Sequence, residues 1–288
     1  MTTVNRRLRD RLERRDAMLV PGAADALAAR VIADLGFEAV YLSGAGLTNA
    51  FLGVPDLGFI GLAELAQHTA AIREAVDVPI IVDADTGFGN ALNVQRAVRA
   101  LERAGARAIQ LEDQVMPKRC GHFAGNEVVA AAEMAGKVKA AVDARHDADF
   151  LVIARTDARA SEGFAAAVER ARRYAEAGAD VLFIEAPESV DEIARIPQLL
   201  PQPLVINLVL GGATPILDRS ALAAMNYAVV LYANAALQGA LYGMQTALRR
   251  LRETGRLDES APVASFSERQ RLVGKPLFDA LAQKYGRE

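Results

Sequence analysis

Uninterrupted apolar runs rich in valine, isoleucine and leucine alternate along the chain with longer stretches where alanine, leucine and charged residues recur at helical spacing. Runs without polar alternation suit strands buried on both faces, and amphipathic stretches suit the helices that cover them. Eight runs read as strands: 18–21, 39–43, 79–85, 108–113, 150–156, 181–186, 203–208 and 227–232. Between them, residues 24–35, 62–76, 93–104, 133–144, 164–177, 191–199 and 220–224 read as helices. Several helices end alike, in Leu35-Gly36-Phe37, Ala104-Gly105-Ala106 and Ala177-Gly178-Ala179. A glycine just past a helix takes the left-handed conformation that stops it, and the next strand follows. Eight such units predict an α/β fold, a (β/α)8 TIM barrel. An open doubly wound sheet is the alternative.

Two pieces fall outside the repeat. Residues 3–16 read as a charged helix capping the barrel bottom. Residues 262–288 read as a C-terminal helical arm with Phe266, Leu272, Val273, Leu277, Phe278 and Leu281; it packs either on its own barrel or on a neighbouring subunit. No linker divides the rest, so residues 1–288 read as one domain.

Composition narrows the function. With 52% hydrophobic and 24% charged residues the chain is not disordered. One cysteine cannot make an internal disulfide and suits a reducing cytoplasm. A net charge of −3 supplies no basic field toward nucleic acid or membrane. The N-terminus lacks the apolar core of a secretory signal. Of two long uncharged stretches, 196–217 carries four prolines. The other, 220–248, reads as a buried strand followed by a buried helix rather than a membrane span.

Catalytic groups of a barrel come from strand C-termini and the loops after them. Here those ends carry Ser43, Asp83, Asp85, Glu112, Asp113, Arg155, Asp157, Glu185 and Asn207. A purely structural barrel has no use for so much charge at one end, since buried charge is costly unless paired or bound to metal. In Asp83-Ala84-Asp85 the carboxylates lie two residues apart on one side of a strand, a pair of hard donors suited to Mg²⁺ (or Mn²⁺), with Glu112 on the next strand able to join through water. The opposing reading has Asp85 capping the next turn and Asp83 paired with an arginine. The long segment after strand four, QVMPKRCGHFAGN, holds the one cysteine, Cys120, among Lys118, Arg119 and His122. Cationic neighbours lower a thiol pKa and poise it for proton transfer or attack. Arg155 suits a bidentate carboxylate grip, or else pairs with Asp157 or Glu185. Tyr41 and Ser43 point to one side of the second strand. Gly211-Gly212 after strand seven keeps a phosphate substrate open.

Taken in order, VYLSGAG, VDADTGFGN, QLEDQVMPKRCGH, IARTDAR, FIEAPES and NLVLGGATP resemble the isocitrate lyase / phosphoenolpyruvate mutase superfamily over residues 21–217. KRCGH is similar to its lyase branch, the methylisocitrate and 2,3-dimethylmalate (alkylmalate) lyases. The resemblance implies a Mg²⁺-dependent barrel that exchanges C-terminal helices within a homotetramer. It further implies that Ser43, Gly44 and Ala45 hold the substrate carboxylate. Asp83, Asp85 and Glu112 would serve the metal; Cys120, Gly121 and His122 would form a closing lid; Arg155, Glu185 and Asn207 would complete the pocket. The implied reaction cleaves the C2–C3 bond of a 2-hydroxy acid to pyruvate and a second carboxylic acid, with Tyr41 a candidate base and Cys120 the general acid. Alternatives are an oxaloacetate decarboxylase or phosphonate-processing enzyme of the same superfamily, or a non-catalytic binding barrel. Leu210 and Gln238 stand where methylisocitrate lyases carry charged residues, which favours a dicarboxylate over a tricarboxylate.

Overall fold

The apolar runs form eight parallel strands closed into a barrel in sequence order, β1 through β8 and back to β1. This is a computed structural model and it describes residues 3–118 and 127–286. The strands are β1 (Met18–Ala23), β2 (Val40–Leu42), β3 (Ile80–Asp83), β4 (Ala108–Glu112), β5 (Leu151–Thr156), β6 (Val181–Ile184), β7 (Leu204–Asn207) and β8 (Val229–Tyr232). The helices that matter below are α1 (Val4–Glu13), α2 (Ala26–Asp34), α3 (Gly44–Leu47), α4 (Leu62–Ala75), α5 (Ala91–Arg103), α6 (Ala131–Ala144), α7 (Ala158–Glu162), α8 (Phe164–Glu176), α9 (Val190–Leu199), α10 (Arg219–Ala224), α11 (Ala235–Thr254), α12 (Phe266–Leu272) and α13 (Lys275–Tyr285). Gly36, Gly105 and Gly178 have φ of 84°, 104° and 104°, the left-handed stops their positions after α2, α5 and α8 foretold.

Strand periodicity builds the active end. The barrel interior is filled by Val20, Tyr41, Ile81, Ile153, Phe183, Val205 and Leu231, among others. Successive inward positions are two residues apart. Counting on by two from that layer gives Ser43, Asp83, Arg155, Glu185, Asn207 and Ala233. The residues over the barrel mouth therefore continue the interior rows past their apolar part. The opposite end is plugged by α1, whose Leu8 and Leu12 join the interior cluster. Arg11 holds Glu38 at 2.7 and 2.8 Å, and Arg9 holds Asp180 at 2.8 Å. The second apolar layer lies between strands and helices, with Val82, Ile109, Val152 and Leu182 facing Val98, Val138 and Ile193.

Three features depart from the pattern reading. β2 is only three residues long, because Ser43 turns the chain into α3 and a π-helical turn, Thr48–Leu52. The short helix α7 was not foreseen. The helix inside 220–248, read as buried, is α11, and it has no buried residue in this single chain. Leu241, Tyr242, Met244 and Leu248 are exposed there, as are Phe266, Leu277, Phe278 and Tyr285 of the C-terminal arm. Within the arm, α12 docks on its own α2, where Arg271 binds both Asp34 oxygens at 2.7 and 2.6 Å. Among the described residues no helix is long and apolar enough to cross a membrane.

Candidate active site

At the strand C-termini a cavity of about 60 Å³ is lined by Tyr41, Ser43, Ala45, Asp83, Glu112, Arg155, Glu185 and Asn207, together with Asp56, Lys118, Val209, Leu231, Ala233 and Asn234. A larger groove of about 610 Å³ lies at the other end, beside α1, lined by Arg7, Asp10, Arg11, Arg14, Glu38 and Asp77, away from the strand C-termini where a barrel carries its chemistry.

Charge dominates the cavity. Asp56, Asp83, Asp85, Glu112, Asp157 and Glu185 are all buried, against the two buried cations Lys118 and Arg155. Lys118 Nζ donates to Asp56 Oδ2 at 2.7 Å and lies 2.8 Å from Asp85 Oδ1. Burial opposes its charge, but Asp85, Glu112, Asp83 and Asp56 outweigh burial and hold the ammonium protonated. Asp85 is pushed up to about 7, by burial first and then by its carboxylate neighbours, with Lys118 pulling the other way. Burial also raises Glu112 well above the usual carboxylate range, although Arg155 offsets part of the effect. Among the described residues, these buried carboxylates outnumber the cations Lys118 and Arg155.

Those donors fit a divalent cation. Gly44 faces the space between them: a Cβ there would come within 3.1 Å of Asp85 Oδ1, 3.3 Å of Asp83 Oδ2 and 3.5 Å of Lys118 Nζ. Glu112 Oε1 has no hydrogen-bond partner among the described residues. Also among the described residues, no three acidic side chains already converge as a ligand shell. Mg²⁺ does not demand one, because it keeps several waters and takes one or two carboxylates. Among the described residues neither opposing reading of Asp83 and Asp85 holds: Asp85 sits at φ 48° with Lys118 as partner, and Asp83 accepts from Gly44 N at 3.3 Å and Gln110 Nε2 at 3.4 Å.

Arg155 is fixed on one edge. Its Nε and Nη2 donate to Asp157 Oδ2 and Oδ1 at 2.9 and 2.7 Å. Glu185 Oε2 lies 3.5 Å from Nε, Glu112 Oε2 lies 3.4 Å from Nη1, and the guanidinium stacks 5.3 Å over Phe183. The pairing with Asp157 and Glu185 thus coexists with a position on the cavity wall. Asn207 Nδ2 donates to Glu185 Oε1 at 3.4 Å, and its Oδ1 has no partner among the described residues. Ser43 Oγ accepts from Gly46 N at 3.1 Å and donates to Asn234 Oδ1 at 3.4 Å. Tyr41 is buried, and burial together with the Asp83 charge raises its phenol above the ordinary value. That environment opposes the base role suggested for it and keeps its proton in place.

The sequence did not reveal Asp56 as a partner of Lys118. It lies in the loop after the π-helical turn, and nothing local marks a pairing across 62 residues. Leu210 is 69% exposed and does not line the cavity. Cys120, Gly121 and His122 lie outside the described residues, as does Arg119. The stem of their segment is described: Val115 N donates to Glu127 O at 2.9 Å, and Gln114 bridges Val128.

The family described as phosphoenolpyruvate phosphomutase matches residues 8–252. The chain is 45% identical to a 2,3-dimethylmalate lyase of Eubacterium barkeri over 93% of each protein. It is 47% identical to a 2-methylisocitrate lyase of Aeropyrum pernix, covering 86% of this chain and 80% of that one. Among solved structures, a 2,3-dimethylmalate lyase described as a PEP mutase/isocitrate lyase superfamily member superposes with a TM-score of 0.92 at 34% identity, over 99% of this chain and 96% of that chain. An oxaloacetate acetylhydrolase bound to 3,3-difluorooxalacetate superposes at 0.93 with 32% identity, over 100% and 98%. A phosphonopyruvate hydrolase bound to oxalate and Mg²⁺ superposes at 0.89 with 34% identity, over 99% and 100%.

Proposed function

The chain belongs to the PEP mutase/isocitrate lyase superfamily of enzymes, and on that premise we propose that it is a Mg²⁺-dependent carbon–carbon lyase cleaving a 2-hydroxy dicarboxylate, 2,3-dimethylmalate or another alkylmalate, to pyruvate and a carboxylic acid. The observation that carries the reading is the pair of buried carboxylates, Asp83 and Asp85, beside Gly44, with Asp83, Glu112 and Arg155 lining one small cavity. Likeness to a 2,3-dimethylmalate lyase over nearly the whole chain supports the substrate class.

Asp83, Asp85 and Glu112 would hold the cation, which when bound supplies Lewis-acid polarisation of the substrate hydroxyl and its neighbouring carboxylate. Ser43 and Ala45 border the carboxylate subsite. Gly44 keeps that space open, while its N–H supports Asp83. The hydroxyl proton passes to a carboxylate of the cavity, because burial keeps Tyr41 as the neutral phenol, which has no site to accept it. As the C2–C3 electron pair leaves with C3, Arg155 stabilises the charge developing on the departing carboxylate. Tyr41 donates its hydrogen bond to the new oxo group. Cys120, with His122 nearby in sequence, protonates C3 as general acid. Glu185 and Asn207 orient Arg155 and the substrate.

Pyruvate release coupled to lactate dehydrogenase tests this. 2,3-Dimethylmalate or citramalate is expected to show higher kcat/KM than methylisocitrate, with activity lost in EDTA and restored by Mg²⁺ or Mn²⁺. A preference for methylisocitrate overturns the dicarboxylate assignment. Metal-independent turnover overturns the mechanism. Gly44→Ala is expected to lower kcat/KM about tenfold, since overpacking a filled site costs ~1–3 kcal/mol; parallel thermal melts check that the fold survives. The likeness to an oxaloacetate acetylhydrolase supports a second reading, hydrolysis of oxaloacetate, which would yield oxalate and acetate and no pyruvate.

The apolar residues of α11, α12 and α13, exposed in one chain, support a homotetramer with exchanged C-terminal helices. Light scattering of the full chain against one ending at residue 261 reads this directly. A single thiol fits a cytoplasmic enzyme.

A further inference from the structure

Beside Asp157, the partner of Arg155, Asp113 is completely buried and collects four hydrogen bonds from the end of β5, from Asp157 and from α8. Its Oδ1 accepts from the backbone N–H of Asp157 at 2.9 Å. Its Oδ2 accepts from the hydroxyls of Thr156 and Tyr174, both at 2.7 Å, and from Arg170 Nη1 at 3.3 Å. Gln114, the next residue, donates through Nε2 to Asp157 Oδ1 at 3.1 Å. Asp157, the carboxylate that grips the inner edge of Arg155, is therefore held twice by the end of β4. Arg170 in turn donates to Val129 O at 2.8 Å and binds Glu162 in bidentate fashion at 2.7 Å. One carboxylate thus ties β4, β5 and α8 to the returning stem of the 115–128 segment.

We propose that Asp113 is a positioning residue for the reaction: through Asp157 it sets the plane and reach of the Arg155 guanidinium, and Tyr174 and Thr156 set Asp113. The inference rests on the anion-binding role given to Arg155 above. Geometry argues for it over plain structural support. A carboxylate needed only to cement helix to strand could leave Asp157 to cap α7, yet Asp157 makes no side-chain cap there and points both oxygens at Arg155. Because Asp157 takes Nε and Nη2, Nη1 is the nitrogen left for the cavity, and its direction follows from the ring plane that Asp157 imposes. Satisfied polar networks of this kind are rigid, whereas partly satisfied ones are costly.

The test uses oxalate, a planar dianion, titrated by calorimetry into the Mg²⁺-loaded full chain, alongside pyruvate-release kinetics. Thr156→Val and Tyr174→Phe each remove one donor without altering shape. Each is expected to weaken oxalate binding about three- to tenfold and to lower kcat at least tenfold, with KM for the hydroxy acid rising less than kcat falls. Thr156→Ser, which keeps the hydroxyl, is expected to stay within twofold of the parent in both readouts. Asp113→Asn sets two N–H donors against three donor groups and is expected to exceed either single loss; if it fails to fold, the other variants decide. Oxalate affinity and kcat within twofold of the parent in both Thr156→Val and Tyr174→Phe, whatever their melting temperatures, overturn the proposal. So does a parent chain that binds no oxalate, because Arg155 is then no anion receptor. A parent that binds oxalate but releases no pyruvate from any hydroxy diacid sinks the lyase reading alone, and the oxalate arm still judges Asp113.

Discussion

Arg155→Lys is expected to lower kcat/KM about 10²–10³-fold, the scale on which loss of a preorganised donor to developing charge is felt. Lysine keeps the charge but not the fork. The guanidinium spans Asp157 with two parallel hydrogen bonds at 2.9 and 2.7 Å while presenting Nη1 toward Glu112 and the cavity. An ammonium is a single point that cannot do both. The same change leaves Asp157 and Glu185 short of a partner in an environment almost closed to water. Breaking one side of a buried pair costs ~3–5 kcal/mol, so a fall in melting temperature is expected as well. The two effects separate in kinetics: if the variant folds at the assay temperature, kcat falls and stays low. Turnover within threefold of the parent would remove Arg155 from the reaction and reduce it to a strut between β5 and β6.

Arg155 ends an apolar run and so belongs to the part of the molecule that is legible in the sequence. All eight strands were visible because a barrel strand buries both faces, so its apolar run has no polar interruption, and α1 and the C-terminal helices were visible as well. Five strand ends lie one or two residues before the expected ones, at Ser43 and Asp85 because the polar residue that closes the run belongs to the following turn, whereas β1 runs two residues further than expected, to Ala23. The ring of site residues was visible for the same reason as the strands: Asp83, Glu112, Arg155, Glu185 and Asn207 end apolar runs. What stayed hidden depends on pairing across the fold. Asp56 is an ordinary loop aspartate until Lys118 reaches it, and Arg170 and Tyr174 look like two polar positions on an amphipathic helix until both meet Asp113. Lys118 was weighed only as a cation beside Cys120, yet its ammonium is engaged by Asp56 and Asp85. The exposure of α11 was misread because an uncharged helix looks the same in sequence whether its cover comes from its own chain or from another.

Cys120→Ser is the sharpest test of reaction type, and it is expected to reduce pyruvate release from 2,3-dimethylmalate by about 10²–10⁴, the usual reach of a positioned general acid. Serine preserves size and one hydrogen-bond donor, so substrate binding and the polarity of the KRCGH segment change little. What changes is acidity: a thiol near pKa 8.5 can hand its proton to carbon at neutral pH, whereas a hydroxyl is far too weak an acid. The lyase leaves an aci-carboxylate dianion whose C3 needs that proton inside the closed site. Decarboxylation of oxaloacetate and cleavage of a carbon–phosphorus bond leave instead a pyruvate enolate, with its charge held on the ketone oxygen, and C3 then takes its proton from water without a thiol. A Cys120→Ser enzyme that kept full turnover on its best substrate would therefore reject the lyase mechanism in favour of those chemistries. A variant still able to bind oxalate with Mg²⁺ but unable to release pyruvate would locate the defect in proton delivery. Thiol alkylation of the parent should reproduce that loss, with pyruvate and Mg²⁺ together slowing the modification. Inactivation at the same rate with or without them would detach Cys120 from the cavity that Asp83, Asp85 and Arg155 enclose.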